Sequence, residues 1–409
     1  MVETIETVAD REPSRRETFL PLHSTDLVEF LSRHPALQGS TEAQFRHLAS
    51  FILSLQHHLY RQRHEQLTYL YAPLDPDRDT LLLSVPVLEE RNRRCEELFG
   101  RIDDALQRAN YHRLVREDIE RAMSGATQWG VRMRVDFDAF DRVEVYARGN
   151  KIGKKSLRHW RRFFRLKTFE VPLYQRLVVI FRIRPEYERR DKRFDSHRLY
   201  LRMFKNIPQQ DVDMVMPATK LKMTWWDHSQ IVLPSIYAIV ATLGKLLRYV
   251  VLLTLLGIFK TAAMVLLIIV AVAYGVKSMF TYTINTRRRY HLNVAQNLVI
   301  QSLDNNAGAL LRILEEGEQQ EACEAVLGFF AAAVLMPDIK DIKLDEVDRT
   351  CESLIHEATG IHIDFDVQDA VKDLVHLGLM RAAGERWEAV SLSEAVRILD
   401  DTWDRWFNN

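Results

Sequence analysis

The sequence predicts an α+β membrane protein: a helical N-terminal region, a small mostly antiparallel sheet, a two-helix transmembrane hairpin and a C-terminal winged-helix-like domain. Three observations predict it. Residues 231–276 form an apolar run without an acid and with only three charges, Lys245, Arg248 and Lys260, long enough for two crossings at about 20 residues each. Before that run, apolar residues recur at spacings of three and four and then switch to alternation, the helical and strand periods in turn. After it, three helical patterns precede a short hairpin, which is the winged-helix order.

Residues 1–17 mix acids and bases with no apolar stretch. They read as a disordered tail, neither a secretory signal nor a transit peptide. Residues 18–126 read as helical. The longest pattern opens at Ser40 or Thr41 as a cap and places Phe45, Leu48, Ile52, Leu55 and Leu59 on one face. The segment PLDPDRD ends it. A second helix is expected over about 86–110, with Leu98, Ile102 and Leu106 on one side, and a third over 115–123. His57, His58 and His64 share the first of these helices, but a metal needs more ligands in fixed places, so a solvated face is expected.

Residues 127–224 read as a small α+β domain. VRMRVDFDAF and RVEVYARG are expected to pair as a hairpin, with FEVPLYQRLVVIFRIR and RLYLRMF as further strands. Asp136, Asp138 and Asp141 flank that hairpin's turn and lack the Gly and closing Glu of a calcium loop. Within the domain, Lys151–Lys167 reads KIGKKSLRHWRRFFRLK, with eight cations and no acid. As a helix it lines Leu157, Trp160, Phe163 and Phe164 together. Lys154, Lys155, Arg158, Arg161, Arg162 and Arg165 are then candidates for contact with anionic lipid. A helix packed on the sheet with its arginines solvated fits the same residues.

The membrane hairpin, bounded at 225–280, is expected as helices over about 231–247 and 253–276. Lys245 and Arg248 mark its turn; Lys260 either snorkels to the same surface or marks where the second crossing begins, with 249–259 then in the interface. Trp225, Trp226, Tyr274, Phe280 and Tyr282 suit the headgroup level, and the flanking Lys and Arg residues place both remaining parts in the cytoplasm. Juxtamembrane helices over 281–316 lead to the winged-helix-like domain, 317–409. There the helix in the recognition position carries Asp366, Asp369 and Asp373 against a single Lys372. Phosphates would be repelled, so no nucleic acid is expected, and this domain reads as a protein-binding module.

Three stretches carry a resemblance. FKNIPQQDVDMVMP holds Lys205, Asn206, Pro208, Asp211 and Pro217. VPLYQRLVVIFR precedes it, and SLDNNAGALLRILEEGEQQE holds Asp304, Asn305, Asn306 and Gly308. From about residue 127 onward the chain resembles the bacterial and mitochondrial transmembrane-protein-143-like family, a membrane domain of unknown function. The resemblance implies a two-pass membrane protein and supplies no activity, substrate or cofactor. The acid-containing N-terminus departs from a mitochondrial form, so a bacterial inner membrane with cytoplasmic termini is the expected location.

Acidic and basic residues balance at 56 each, and Cys95, Cys323 and Cys351 are scattered without metal spacing. No nucleophile elbow, Walker loop, zinc-protease helix or dinucleotide turn is present. No enzyme, cofactor or metal is therefore expected. The function expected is a membrane-anchored interaction or scaffold module that contacts the bilayer and an unknown protein partner, with room for a homo-oligomer. An oligomeric channel or transport component, with Lys245, Arg248 or Lys260 acting on anions, is the alternative. A lipid-handling enzyme at the surface stands behind it.

Overall fold

The structure is a computed structural model. It describes residues 6–7, 17–119, 132–158, 166–222 and 298–407, except 82, 85, 190, 337–339 and 385, together with 244, 248 and 277. In chain order the elements are β1 (Glu6–Thr7), α1 (Ser24–Ser32), α2 (Ser40–Tyr71), α3 (Leu88–Arg108), β2 (His112–Leu114), β3 (Arg132–Val135), β4 (Phe140–Arg158) and β5 (Leu166–Ile183). Then follow α4 (Pro185–Glu188), β6 (Tyr200–Pro208), α5 (Val212–Val215), β7 (Thr219–Lys222) and β8 (Ser302–Asn305). The chain closes with α6 (Asn306–Phe329), α7 (Leu344–Thr359), α8 (Val367–His376), β9 (Met380–Ala383), β10 (Arg386–Ala389) and α9 (Leu392–Phe407).

Two compact units result. The first joins Met1–Asp118, Asp138–Gln209 and Ser302–Asn409; the second joins Ile119–Phe137 and Gln210–Gln301. In the first unit an antiparallel sheet runs in the order β1-β4-β5-β6-β8, with β2 also on β4. Leu177, Val178, Val179, Ile180 and Phe181 are all fully buried, so both faces of β5 are covered there. That double burial explains why β5 reads as a continuous apolar run rather than an alternating one. One face, with Tyr146, Val178, Ile180, Leu201 and Met203, packs on the second half of α2, on α3 and on the start of α6. α3 shows the corresponding pattern: Cys95, Leu98, Phe99, Ile102 and Leu106 are buried along one side. Its outer side is laced by pairs four apart, such as Arg94–Glu90 at 2.9 Å and Arg108–Asp104 at 3.0 Å.

A second apolar core lies in the same unit. It is built from α1, the first half of α2, the end of α6, α7, α8, the β9–β10 hairpin and α9. α2 and α6 therefore run through both cores. They approach closely at Gly317, where a Cβ would stand 2.9 Å from the Tyr60 hydroxyl. In the second unit β3 pairs antiparallel with β7, Arg132 opposite Lys222 and Val135 opposite Thr219.

Four expectations are corrected. No helix among the described residues is long and apolar enough to cross a membrane. The membrane fold class, the transmembrane helices and the multi-pass location are overturned on that finding. The long helices α2 and α3 bury one face against protein and carry charged side chains along the rest, while α6 is buried on all sides from Gln320 to Phe329. The run 231–276 itself, with Lys245 and Lys260, lies outside the described residues; Arg248 is helical and exposed.

The basic amphipathic helix over 151–167 is also corrected. The ladder between β4 and β5 continues from Arg142 opposite Arg182 to Arg158 opposite Leu166. It occupies the backbone groups that a helix would need. VRMRV pairs with β7 and not with RVEVYARG. Finally, the helices of 317–409 are not a domain apart, because they share a core with α1 and α2.

Candidate functional site

The residues singled out in the sequence divide into three groups. Trp225, Trp226, Tyr274, Phe280, Tyr282, Trp160, Phe163, Phe164, Arg161, Arg162 and Arg165 lie outside the described residues. Lys154, Lys155 and Arg158 stand on β4, with their backbone alone described. The motif residues of the first unit fall on neighbouring strands. β6 and β8 pair with Arg202 opposite Asn305, Met203 opposite Asp304 and Phe204 opposite Ser302, so Asp304 and Asn305 lie beside the first half of β6, while Lys205, Asn206 and Pro208 lie further along it, away from Asn305 and the start of α6. Asn306 begins α6 with φ +50°, the left-handed region that Asn tolerates. Its side-chain oxygen accepts from Leu201 N–H at 3.2 Å, and its amide donates to the Asp77 carboxylate. This motif thus pins the sheet edge, the start of α6 and the loop after α2. In the second unit Asp211 and Pro217 are buried on either side of α5.

A polar seam runs along α6 between its two apolar ends. The Glu316 carboxylate pairs with Arg148 at 2.8 Å and Arg176 at 3.1 Å, and accepts from the Tyr111 hydroxyl at 2.6 Å. Burial pushes its pKa up, but Arg148, Tyr111 and Arg176 outweigh that and hold it below the usual range. One turn on, Glu321 accepts from Arg108 at 2.6 Å and Arg63 at 3.2 Å. Glu324, only 3 % exposed, has no ion pair among the described residues. It accepts instead from the Asn110 and Gln320 side-chain amides at 3.0 and 2.7 Å. Burial pushes this carboxyl up to about 8; the two amides pull it back a little, and Asp369 and Asp373 of α8 push it further up. Asp373 itself is raised to about 7, by burial first and by Glu321 next. Gln320 also accepts from Leu20 N–H at 3.1 Å. The seam ties α2, α3, the sheet and the segment before α1 to one helix. Its carboxylates are taken up by donors of the chain itself.

Among the described residues no three His, Cys, Asp or Glu side chains come together to hold an ion. His57 pairs with Glu318 at 2.9 Å on the outer face of α2. The three cysteines are buried and free, and burial raises each of their thiols.

What stands open is a groove of about 870 Å³ between the loop after α2 and the turn that follows α4. Pro76 and Asp77 form one side, and Arg189, Lys192 and His197 form part of the other. The aromatic pair Phe194 and Tyr200 lies in its floor, edge to face at 5.3 Å, and Tyr200 stacks on Phe181 at 5.2 Å. The turn is locked by its own bonds: Ser196 N–H to Glu188 at 3.1 Å, His197 N–H to Asp195 at 2.8 Å, and Arg193 to Asp191 at 2.6 Å. From Asp77 the loop runs on into an apolar stretch in open solvent. Leu81 and Leu83 are 95 % and 109 % exposed, and Val87 and Leu88 are exposed as well. The sequence pattern begins its second helix near 86 and gives 81–85 no element, because the leucines there have no helical or strand period. The absence of a period within an apolar run was the signal available.

A family model described as "Protein of unknown function (DUF3754)" matches residues 174–308, from β5 through the first turn of α6. The chain is similar to that family over a stretch that includes the β6 and β8 motifs and the 189–198 wall of the groove. The description names no activity, ligand or location. No solved structure matches the chain.

Proposed function

We propose that the chain is a protein-interaction module and that its first unit docks a partner at the groove between the loop after α2 and the 189–198 turn. The observation that carries this reading is the exposure of Leu81, Leu83, Val87 and Leu88 on the stretch that follows Asp77, a residue of the groove wall. Isolated exposed leucines are ordinary, but an exposed apolar cluster next to a concave site marks a surface built to be covered. Leu81 is four residues from Asp77, within about 14 Å at full extension, so one partner segment can touch both. The buried ionisable groups of the seam support the same reading, because they serve internal pairing.

The test is affinity purification of the full chain beside its Leu81→Asp/Leu83→Asp variant, with Val375→Asp on α8 as a control. Proteins retained by the wild type and by the control, but lost from the loop variant, are the expected outcome. The same proteins on all three, or none on the wild type, contradicts the reading.

A further inference from the structure

We infer that the seating of α8 on α6 is a pH-operated catch: α8 stays in place while two carboxyl groups of the interface, Glu324 and Asp373, keep their protons, and comes away as they ionise. The geometry behind this is a surplus of acids beside a close contact. Ala370, Val371 and Leu374 of α8 are buried against α6. A Cβ added at Gly328 of α6 would stand 3.2 Å from the Ala370 Cβ and 3.5 Å from the Leu374 Cδ1, so the two helices meet without slack. Glu321 and Glu324 of α6 and Asp369 and Asp373 of α8 share this interface. The cations that face them are Arg63 of α2, Arg108 of α3 and Lys372 of α8, and each is already committed. Arg63 and Arg108 hold Glu321 at 3.2 and 2.6 Å, Arg108 is shared with Asp104 at 3.0 Å, and Lys372 holds Asp369. Glu324 and Asp373 are left without an ion pair among the described residues.

Glu324 has the neutral amides of Asn110 and Gln320 for partners, and Asp373 is half-buried in the field of Glu321. The other titratable groups here stay neutral: burial raises the Cys323 thiol to about 12 and raises the Tyr60 phenol too. With α8 seated, burial and then the neighbouring acids hold Glu324 up to about 8, and Asp373 to about 7. Released into water, both ionise near pH 4. The seated form thus keeps protons that the open form gives up, so seating is strongest below about pH 4 and weakens as pH rises through 7 and 8. Two carboxylates without cations are costly in a dry contact, and one of the two helices has to yield. α6 runs through both apolar cores. α8 is ten residues long and carries two of the four acids, so separation of α8 is the movement that gives them water.

The experiment is amide hydrogen exchange of the full chain, read by mass spectrometry at pH 6 and pH 8.5 with the intrinsic exchange rate scaled out. The α8 amides are expected to lose about tenfold or more of their protection between the two, while the fully buried stretch 177–181 of β5 stays protected at both. In Glu324→Gln/Asp373→Asn, which fixes both groups in the neutral form, that loss is expected to disappear. Exchange of α8 in step with β5, no loss of α8 protection as pH rises, or the same loss in the double variant overturns the inference. If the double variant does not fold, the first two outcomes still decide the question in the wild type.

Discussion

Glu324 shows how one side chain is set by its neighbours. It is buried with amides where Glu321, one turn position away, has arginines. With Glu324 raised to about 8 and Asp373 to about 7, the folded chain holds protons that the unfolded chain releases near pH 4. Stability therefore falls as pH rises from about 4, until about 7 for the Asp373 contribution and about 8 for that of Glu324. Glu324→Gln keeps the acceptor oxygen and removes the titration. Urea melts at pH 5 and pH 8 should show the variant gaining on the wild type as pH rises; parallel changes would contradict the assignment. Glu316 is the opposite case, since its removal leaves Arg148 and Arg176, both largely buried, without their carboxylate. Glu316→Ala should cost about 3–5 kcal/mol, the range for breaking a buried pair on one side, read as a lower urea midpoint. The sequence pattern divides these acids, ending a juxtamembrane helix at 316 and beginning a new domain at 317, whereas one helix, Asn306–Phe329, carries them all. It could not tell which would meet Arg63, Arg108, Arg148 or Arg176, because those partners come from four other elements, α2, α3, β4 and β5.

At the scale of elements, close packing decides a second test. α2 and α6 cross at Gly317, where an added Cβ would meet the Tyr60 hydroxyl at 2.9 Å, while the mid-helix Gly100 of α3 has open space around it. Ala in place of Gly favours a helix by about 1 kcal/mol, whereas overfilling a packed contact costs about 1–3 kcal/mol. Gly100→Ala is therefore expected to raise the melting temperature and Gly317→Ala to lower it; a rise in both would refute the close approach. Elements with a strong local period were legible: α2, α3, α7, α8, the β9–β10 hairpin, and β5 with β6 all fall close to where periodicity places them. Those that depend on a distant partner were not. β8 is four residues long and exists by pairing with β6, about a hundred positions earlier. The basic run after Asn150 has a helical arrangement of aromatics, but its first half is held extended by a ladder that began at Phe140.

For the whole molecule, the sequence suggests domains laid end to end, while the structure interleaves them. Residues 24–55 and 323–399 supply one core, and residues 60–203 with 309–314 supply the other. The winged-helix order of the last segment is present, yet the helix in its recognition position is turned inward. Ala370, Val371 and Leu374 of α8 are buried, and the helix packs on α6. Its acids are occupied locally: Asp366 caps its own helix, Asp369 holds Lys372, and Asp373 faces the seam. Periodicity alone could not show this, because a helix packed on a neighbour and one offered to a ligand share the same 3.6-residue pattern. The candidate groove was equally out of reach. Its two sides lie more than a hundred residues apart, and they meet because Asn306 ties Asp77 to the edge of the sheet.

The claim beneath both the fold and the site is that the chain's two ends complete one another around α6. Splitting the chain into 1–209 and 298–409 and expressing the pieces together and apart tests it directly. The two pieces are expected to co-purify in equal amounts and melt as a single cooperative unit, and neither is expected to give a cooperative melt alone. A C-terminal piece that purifies by itself as a monomer with its own sharp transition would contradict it.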